Sequence, residues 1–235
     1  MSTTVAIMQP YAFPYLGYFS LVAAADVFVF YDDVNYIPRG WINRNRVLIN
    51  GLPHTFTIPV ANASQNERIL DVRLHEFGRF RDKFLKQIRL AYARAPNFEA
   101  GFDYVESVLK EESMTIADLA IDSVVSFCRR LGIDRQFLRS SQVSPETYGM
   151  DKAARLVVIT RALGATTYVN ALGGTALYDK PQFAALGVEL NFVSPRLGAY
   201  SQRQATEFTG GLSIIDVLMN NFAEDVVRMM GDFEL

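Results

Sequence analysis

In Val5-Ala-Ile-Met-Gln-Pro-Tyr-Ala-Phe-Pro-Tyr-Leu-Gly-Tyr-Phe-Ser-Leu-Val-Ala-Ala-Ala-Asp-Val-Phe-Val-Phe-Tyr31, two short apolar runs, Val5 to Met8 and Asp26 to Tyr31, flank a segment of helix-forming composition, Gly17 to Ala25. Short runs of β-branched and aromatic residues bounded by turn signals read as buried strands. The segment between them has roughly the length a crossover helix needs. These residues therefore predict a βαβ unit with parallel strands.

Outward from that unit, Asn50-Gly51 joins Arg46 to Ile49 with His54 to Ile58, a strong hairpin signal, and Ile69 to Leu74 reads as a further strand. The middle is helical: Phe77 to Ala93, Phe98 to Lys110, and Thr115 to Leu131 closing on Gly132. Alternation then resumes with strand Arg135 to Leu138, helix Asp151 to Leu163, strand Thr166 to Val169, helix Thr175 to Leu186 and strand Val188 to Val193. This is the grammar of the α/β class, an open parallel, Rossmann-like sheet with a β-hairpin and a helical insertion. Residues 1–76 are read as the first half of the α/β domain with the hairpin, 77–132 as the insertion or a lobe, and 133–235 as the second half with C-terminal helices. The amphipathic tail, Leu212 to Met230, is expected to pack over the sheet or a second subunit, so a homodimer is compatible with the sequence.

Composition narrows the chemistry. With 23 Lys+Arg against 25 Asp+Glu, the net charge of -2 makes nucleic acid an unexpected partner. One cysteine, Cys128, excludes an internal disulfide framework and a cysteine zinc site; two histidines, His54 and His75, exclude a histidine-rich metal site, and no metal ligands are assigned. Both histidines and Cys128 are given surface or packing roles. Met1-Ser2-Thr3-Thr4 carries no basic leader and the apolar run Leu21 to Phe30 is interrupted by Asp26, which leads us to expect no membrane span and a cytoplasmic protein.

Ligands of open α/β sheets collect beyond the carboxyl ends of the strands. The first such loop, Met8 to Phe19, holds two prolines, Gly17 at a helix start, and Gln9, Tyr15 and Tyr18 as hydrogen-bonding groups. Anion binding and rigid aromatic packing are level readings of it. The second segment, Tyr31 to Arg46, crowds Asp32, Asp33, Tyr36, Arg39, Asn43, Arg44, Asn45 and Arg46 around Trp41, the only tryptophan. Arginines fork onto phosphates, Trp41 and Tyr36 suit stacking, and Asp32 or Asp33 suits a metal, a hydroxyl or an amine. The third, Tyr168 to Tyr178, offers Asn170, Gly173, Gly174 and Thr175 as phosphate or carboxylate contacts or as a plain helix cap. Ser140, Ser141, Lys152 and Arg155 stand to add hydroxyls and cations to the same rim or to form a turn and a solvated face, and Tyr200-Ser201-Gln202 to close over a ligand.

Ile7-Met-Gln-Pro-Tyr11, Pro14-Tyr-Leu-Gly-Tyr-Phe19, Tyr31-Asp-Asp-Val34, Gly40-Trp-Ile-Asn-Arg-Asn-Arg46, Gly173-Gly-Thr-Ala-Leu-Tyr178 and Leu212-Ser-Ile-Ile-Asp-Val-Leu218 together resemble the WbqC-like family over nearly the whole chain. The resemblance implies a bacterial protein of surface polysaccharide, notably O-antigen, biosynthesis. A more distant similarity, in the opening strand, turn, helix and Asp-led strand, is to the nucleotidylyltransferase superfamily, where His-x-Gly-His occupies the turn held here by Tyr15-Leu-Gly17-Tyr18. Phenols donate hydrogen bonds but supply no imidazolium charge, so ordinary nucleotidyl transfer is not expected.

The leading expectation is an enzyme that modifies a nucleotide-linked amino sugar by amide formation or by transfer from an acyl or aminoacyl donor. In it Asp32, Asp33, Gln9 and Tyr18 are the catalytic candidates; Tyr15, Gly17, Tyr36, Arg39, Trp41, Asn43, Arg44, Asn45, Arg46, Asn170, Gly173, Gly174 and Thr175 bind substrate or phosphate. Two alternatives stand beside it. One is a nucleotide-sugar binding protein without chemistry; the other is an altered nucleotidyltransferase using ATP with Mg2+, served by Lys152, Ser140 and Ser141.

Overall fold

A computed structural model describes residues 3–61, 63–203 and 205–235, so Met1 and Ser2 of the amino-terminal tetrapeptide lie outside the described residues. The elements run β1 (Thr4–Met8), α1 (Leu16–Ala23), β2 (Val27–Phe30), β3 (Arg44–Ile49), β4 (Leu52–Thr57), α2 (Phe77–Tyr92), α3 (Phe98–Lys110) and α4 (Ile116–Arg130). They continue with β5 (Gln136–Arg139), α5 (Ser140–Val143), α6 (Lys152–Ala162), β6 (Thr167–Ala171), α7 (Lys180–Ala185), β7 (Glu189–Pro195), α8 (Ile214–Asn220), α9 (Ala223–Met230) and β8 (Phe233–Glu234).

Six strands form one open sheet in the order β5-β2-β1-β6-β7-β8. The first five are parallel; only the two-residue β8 pairs antiparallel with β7. From β1 the chain builds outward on one side through β2 and β5, then returns to build the other side through β6 and β7. The order therefore reverses between β1 and β6, the place where open α/β sheets bind ligands. Everything from residue 31 to 135 is a single crossover connection between the neighbouring strands β2 and β5.

The alternation of side chains across each strand divides the core in two. Val5 and Ile7 of β1 face α6 and α7, where they meet Leu156 and Phe183, whereas Ala6 and Phe28 face the larger cluster built with α1 to α4, the hairpin, α8 and α9. The helical middle thus shares one continuous apolar cluster with the sheet. Asn50 (φ 53°) and Gly51 (φ 76°) make the two-residue left-handed turn that the Asn-Gly pair predicts, and β3–β4 stand apart as a two-stranded sheet.

Two expectations are corrected. Ile69 to Leu74 is not a strand but a 3-10 turn, Ile69–Asp71, with two isolated bridges, Val60 to Leu74 and Arg73 to Thr115. The amides of Ile69 and Leu70 are taken by the carbonyls of Val34 and Asp32, which folds the segment against the loop after β2. The expected helix Thr175 to Leu186 is two pieces, a 3-10 turn over Leu172–Ala176 and then α7. Pro181 lacks an N–H and its ring would strike the carbonyl four residues back, so it starts a helix and cannot sit inside one. The tail also divides, at the extended Asn221, where Asn97 Nδ2 donates to the carbonyls of Leu218 and Asn221. The wholly buried α8 packs on α3 and β3, and α9 packs on α1.

Candidate functional site

The loop after β1 is held from every side. Phe13 has a left-handed backbone (φ 49°) although it is a fully buried aromatic residue, a conformation that persists only where its surroundings enforce it. Its amide donates to Ser123 Oγ at 3.0 Å, and its carbonyl accepts from Asn45 Nδ2 at 2.8 Å and Ser213 Oγ at 2.7 Å. The Ala12 amide donates to Ile42 and the Ile214 amide to Pro14. The Tyr18 hydroxyl, buried in the core, donates to the Gln9 carbonyl at 2.9 Å, so Tyr18 positions the loop. Burial raises the pKa of Tyr11, Tyr15 and, most strongly, Tyr18, which keeps all three as neutral phenols. The Gln9 carboxamide, half-buried at the end of the central strand, has no hydrogen bond among the described residues.

Beyond β2, Asp32 and Asp33 enter a closed polar knot. Asp32 is fully buried and accepts from Ser141 Oγ at 2.9 Å, the Ser141 amide at 3.1 Å and Ser140 Oγ at 3.2 Å. Asp33 accepts from Ser140 Oγ at 2.5 Å and pairs with Arg155 at 2.5 Å, both partners being 3% exposed. Arg155 also donates to Thr147 Oγ1 at 2.9 Å and lies 4.9 Å over the Tyr31 ring. The two carboxylates thereby tie the β2 end to α5 and α6. Tyr36 donates to Asn43 Oδ1 at 2.8 Å, and Asn43 Nδ2 donates to the Ile58 carbonyl, so this pair supports the root of the hairpin.

Tyr15, Trp41 and Asn45 meet around one cavity of ≈ 170 Å³, completed by Tyr11, Pro14 and Gly211. Trp41 is 45% exposed at its rim, with the Arg44 guanidinium 5.6 Å over the indole. Among the described residues, the Nε atoms of Arg44 and Arg46 are buried without a hydrogen-bond partner. Arg46 spends its Nη2 on the carbonyls of Gly211 at 3.2 Å and Gly210 at 3.5 Å, which clips the strap Arg196 to Leu212 to the hairpin. Gly17 is forced by Tyr15: a Cβ there would lie 2.5 Å from the Tyr15 ring, which covers the start of α1.

The other candidates lie apart from the slot. Asp32 and Gly173 do not line it. Arg39 is exposed in a left-handed turn (φ 61°). Asn170 and Gly174 pack on each other at the β6 end, whereas Gly173 and Thr175 are exposed. The Thr175 hydroxyl donates to the Leu172 carbonyl. All stem from the carboxyl edge of the sheet, where neighbouring strands are about 4.8 Å apart.

Sequence reasoning missed Gly211 and the buried hydroxyls of Ser123 and Ser213 that fix Phe13. The Gly210-Gly211 pair just before the Ser213 helix cap was the available signal. Tyr200 and Gln202, expected to close over a ligand, instead bind Asp216.

A profile of the WbqC-like protein family matches residues 9–228. The chain is also similar to the uncharacterized protein Rv1507c of Mycobacterium tuberculosis, 27% identical over 225 residues that cover 94% of each chain.

Proposed function

The chain belongs to the WbqC-like protein family, and from that premise we propose that it is an enzyme of bacterial surface polysaccharide (O-antigen) biosynthesis that modifies a nucleotide-linked amino sugar, by amide formation or by acyl or aminoacyl transfer. The observation that carries this reading is the slot walled by Tyr11, Tyr15 and Trp41 with the unpaired Nε atoms of Arg44 and Arg46 beside it. Aromatic faces stack the C–H face of a sugar or a base, and buried guanidinium donors without partners call for an anion. At ≈ 170 Å³ the slot lies below the roughly 300 Å³ of a typical ligand site, so it takes one ring, and the diphosphate runs outward over Arg44 and Trp41.

In this reading the amine nitrogen of the sugar attacks the donor's acyl carbon, the bond to the donor's leaving group breaks, and the leaving group carries off the amine proton. The free Gln9 carboxamide and the neutral Tyr15 hydroxyl serve the developing oxyanion. Asp32 and Asp33 act here as positioning groups through Ser140, Ser141 and Arg155. That same containment favours the second reading, a nucleotide-sugar binding protein without chemistry, because neither carboxylate has an open oxygen at the slot.

The test is incubation with nucleotide-linked amino sugars, acyl or aminoacyl donors and ATP, with the sugar followed by mass spectrometry and binding by Trp41 fluorescence. A mass gain abolished by Arg44→Ala supports the enzyme. Saturable binding without product across the panel assigns the second reading. Mg2+-dependent pyrophosphate release from ATP would assign an altered nucleotidyltransferase, and a protein that binds no nucleotide or nucleotide sugar refutes all three.

A further inference from the structure

Across β3 from the aromatic slot lies a second, larger cavity of ≈ 430 Å³, within the roughly 300–1,000 Å³ of small-molecule sites. Its walls come from distant parts of the chain: Tyr92 and Arg94 at the end of α2, Asn50 at the hairpin tip, Asp216 and Asn220 of α8, and Arg203 of the strap. Arg94 and Arg203 are exposed at this cavity and neither is ion-paired among the described residues. The acid in the wall does not neutralise them by contact. Asp216 is fully buried, and its oxygens are occupied by the Tyr92 hydroxyl at 2.7 Å, the Tyr200 hydroxyl at 2.6 Å and Gln202 Nε2 at 3.2 Å.

That arrangement gives Asp216 a mechanical task. Tyr200 and Gln202 belong to the strap, and Arg203 is the next residue, so the latch on Asp216 fixes where Arg203 stands. Gln202 also exchanges hydrogen bonds with the backbone of Thr209, which closes the strap on itself. Two cations from separate elements are therefore held at one concave surface, next to the amides of Asn50 and Asn220. This is the complement of a compact anion carrying further hydrogen-bonding oxygens.

We propose that this cavity is a second small-molecule site, which takes the carboxylate or phosphate group of a co-substrate on Arg94 and Arg203. The two sites share two walls. The strap contributes Gly211 to the slot and Arg203 to the cavity, while β3 contributes Asn45 to the one and Leu48 to the other, roughly 10 Å apart along the strand. Anion binding here stands by itself; the word co-substrate rests on the two-substrate reading above.

The test uses the full chain in amide-correlation NMR, titrated at constant ionic strength with inorganic phosphate in one arm and with acetate and glycine in another. Saturable shifts around Arg94, Arg203 and Asn50, weakened at least about tenfold by Arg203→Gln and by Arg94→Gln, are expected. Whichever arm saturates names the anion. The spectrum of each variant reports whether it is folded, and two variants on different elements guard against a local collapse of the strap. Shifts that do not saturate, or that survive both substitutions, overturn the proposal. The same titration in Trp41→Ala should be unchanged, so failure of the slot and failure of this site are read separately.

Discussion

At two residues burial disfavours the charged form. Cys128 sits in α4 with no exposed surface, and burial pushes its thiol up to about 12, against which nearby Arg135 pulls only weakly. The nucleophile is the thiolate, so the native protein is expected to resist iodoacetamide at pH 8 and to react stoichiometrically once unfolded, as read by intact mass. Rapid native labelling would contradict the packing role. Asp216 is sealed as well, and burial holds its carboxyl above the usual carboxylate range, with hydrogen bonds from Tyr200, Tyr92, Gln202 and Asn220 drawing it part of the way back. Ionising it costs the folded state more than the unfolded one. Its contribution to stability is complete below the unfolded carboxylate value of about 4 and is lost as pH rises through the raised folded value. Asp216→Asn should therefore flatten the fall in denaturant midpoint just above pH 4; a curve parallel to that of the wild type would refute this assignment.

At the scale of elements, the turn between β1 and α1 depends on the absence of one carbon. A methyl on Gly17 would meet the Tyr15 ring at 2.5 Å, and that ring is a wall of the slot. Gly17→Ala is expected to preserve the circular dichroism spectrum while weakening ligand-induced quenching of Trp41 about tenfold, the size of effect a modest displacement of one stacking wall produces. Unchanged quenching would mean that Tyr15 is a bystander. The same elements show what sequence could and could not tell. Val5 to Met8, Asp26 to Tyr31 and Asn50-Gly51 announced two strands and a hairpin because short-range chemistry decides them. Trp41 and Arg44 stood out because a lone tryptophan beside so many polar groups is costly to leave idle. The gathering of Tyr11, Trp41 and Gly211 was not legible, since it depends on Asn45 and Ser213 converging on one carbonyl, that of Phe13, from opposite ends of the chain. Nor does the pair Asp32-Asp33 reveal by itself that Ser140, Ser141 and Arg155 will enclose it.

For the whole molecule, that enclosure is the seam of the long connection from β2 to β5. Residues 31–135 leave the sheet beside Asp32 and Asp33 and return beside Ser140 and Ser141, so the knot fastens the two ends together. Arg155→Ala strands Asp33 as an uncompensated buried charge and should cost about 3–5 kcal/mol in urea unfolding, with accelerated hydrogen exchange in β5. Asp33→Asn combined with Arg155→Met should recover much of that loss. A cost for Arg155→Ala below about 1 kcal/mol, typical of an exposed pair, would show that the seam is not held by charge.

The central position of β1 has a further consequence during translation. Its partner on one side, β2, leaves the ribosome almost at once, but its partner on the other, β6, starts only at Thr167. At about 5–20 residues per second, one edge of the middle strand waits on the order of ten seconds or more for its neighbour. A nascent chain of this design keeps the backbone N–H and C=O groups along one edge of its middle strand unpaired through most of its synthesis.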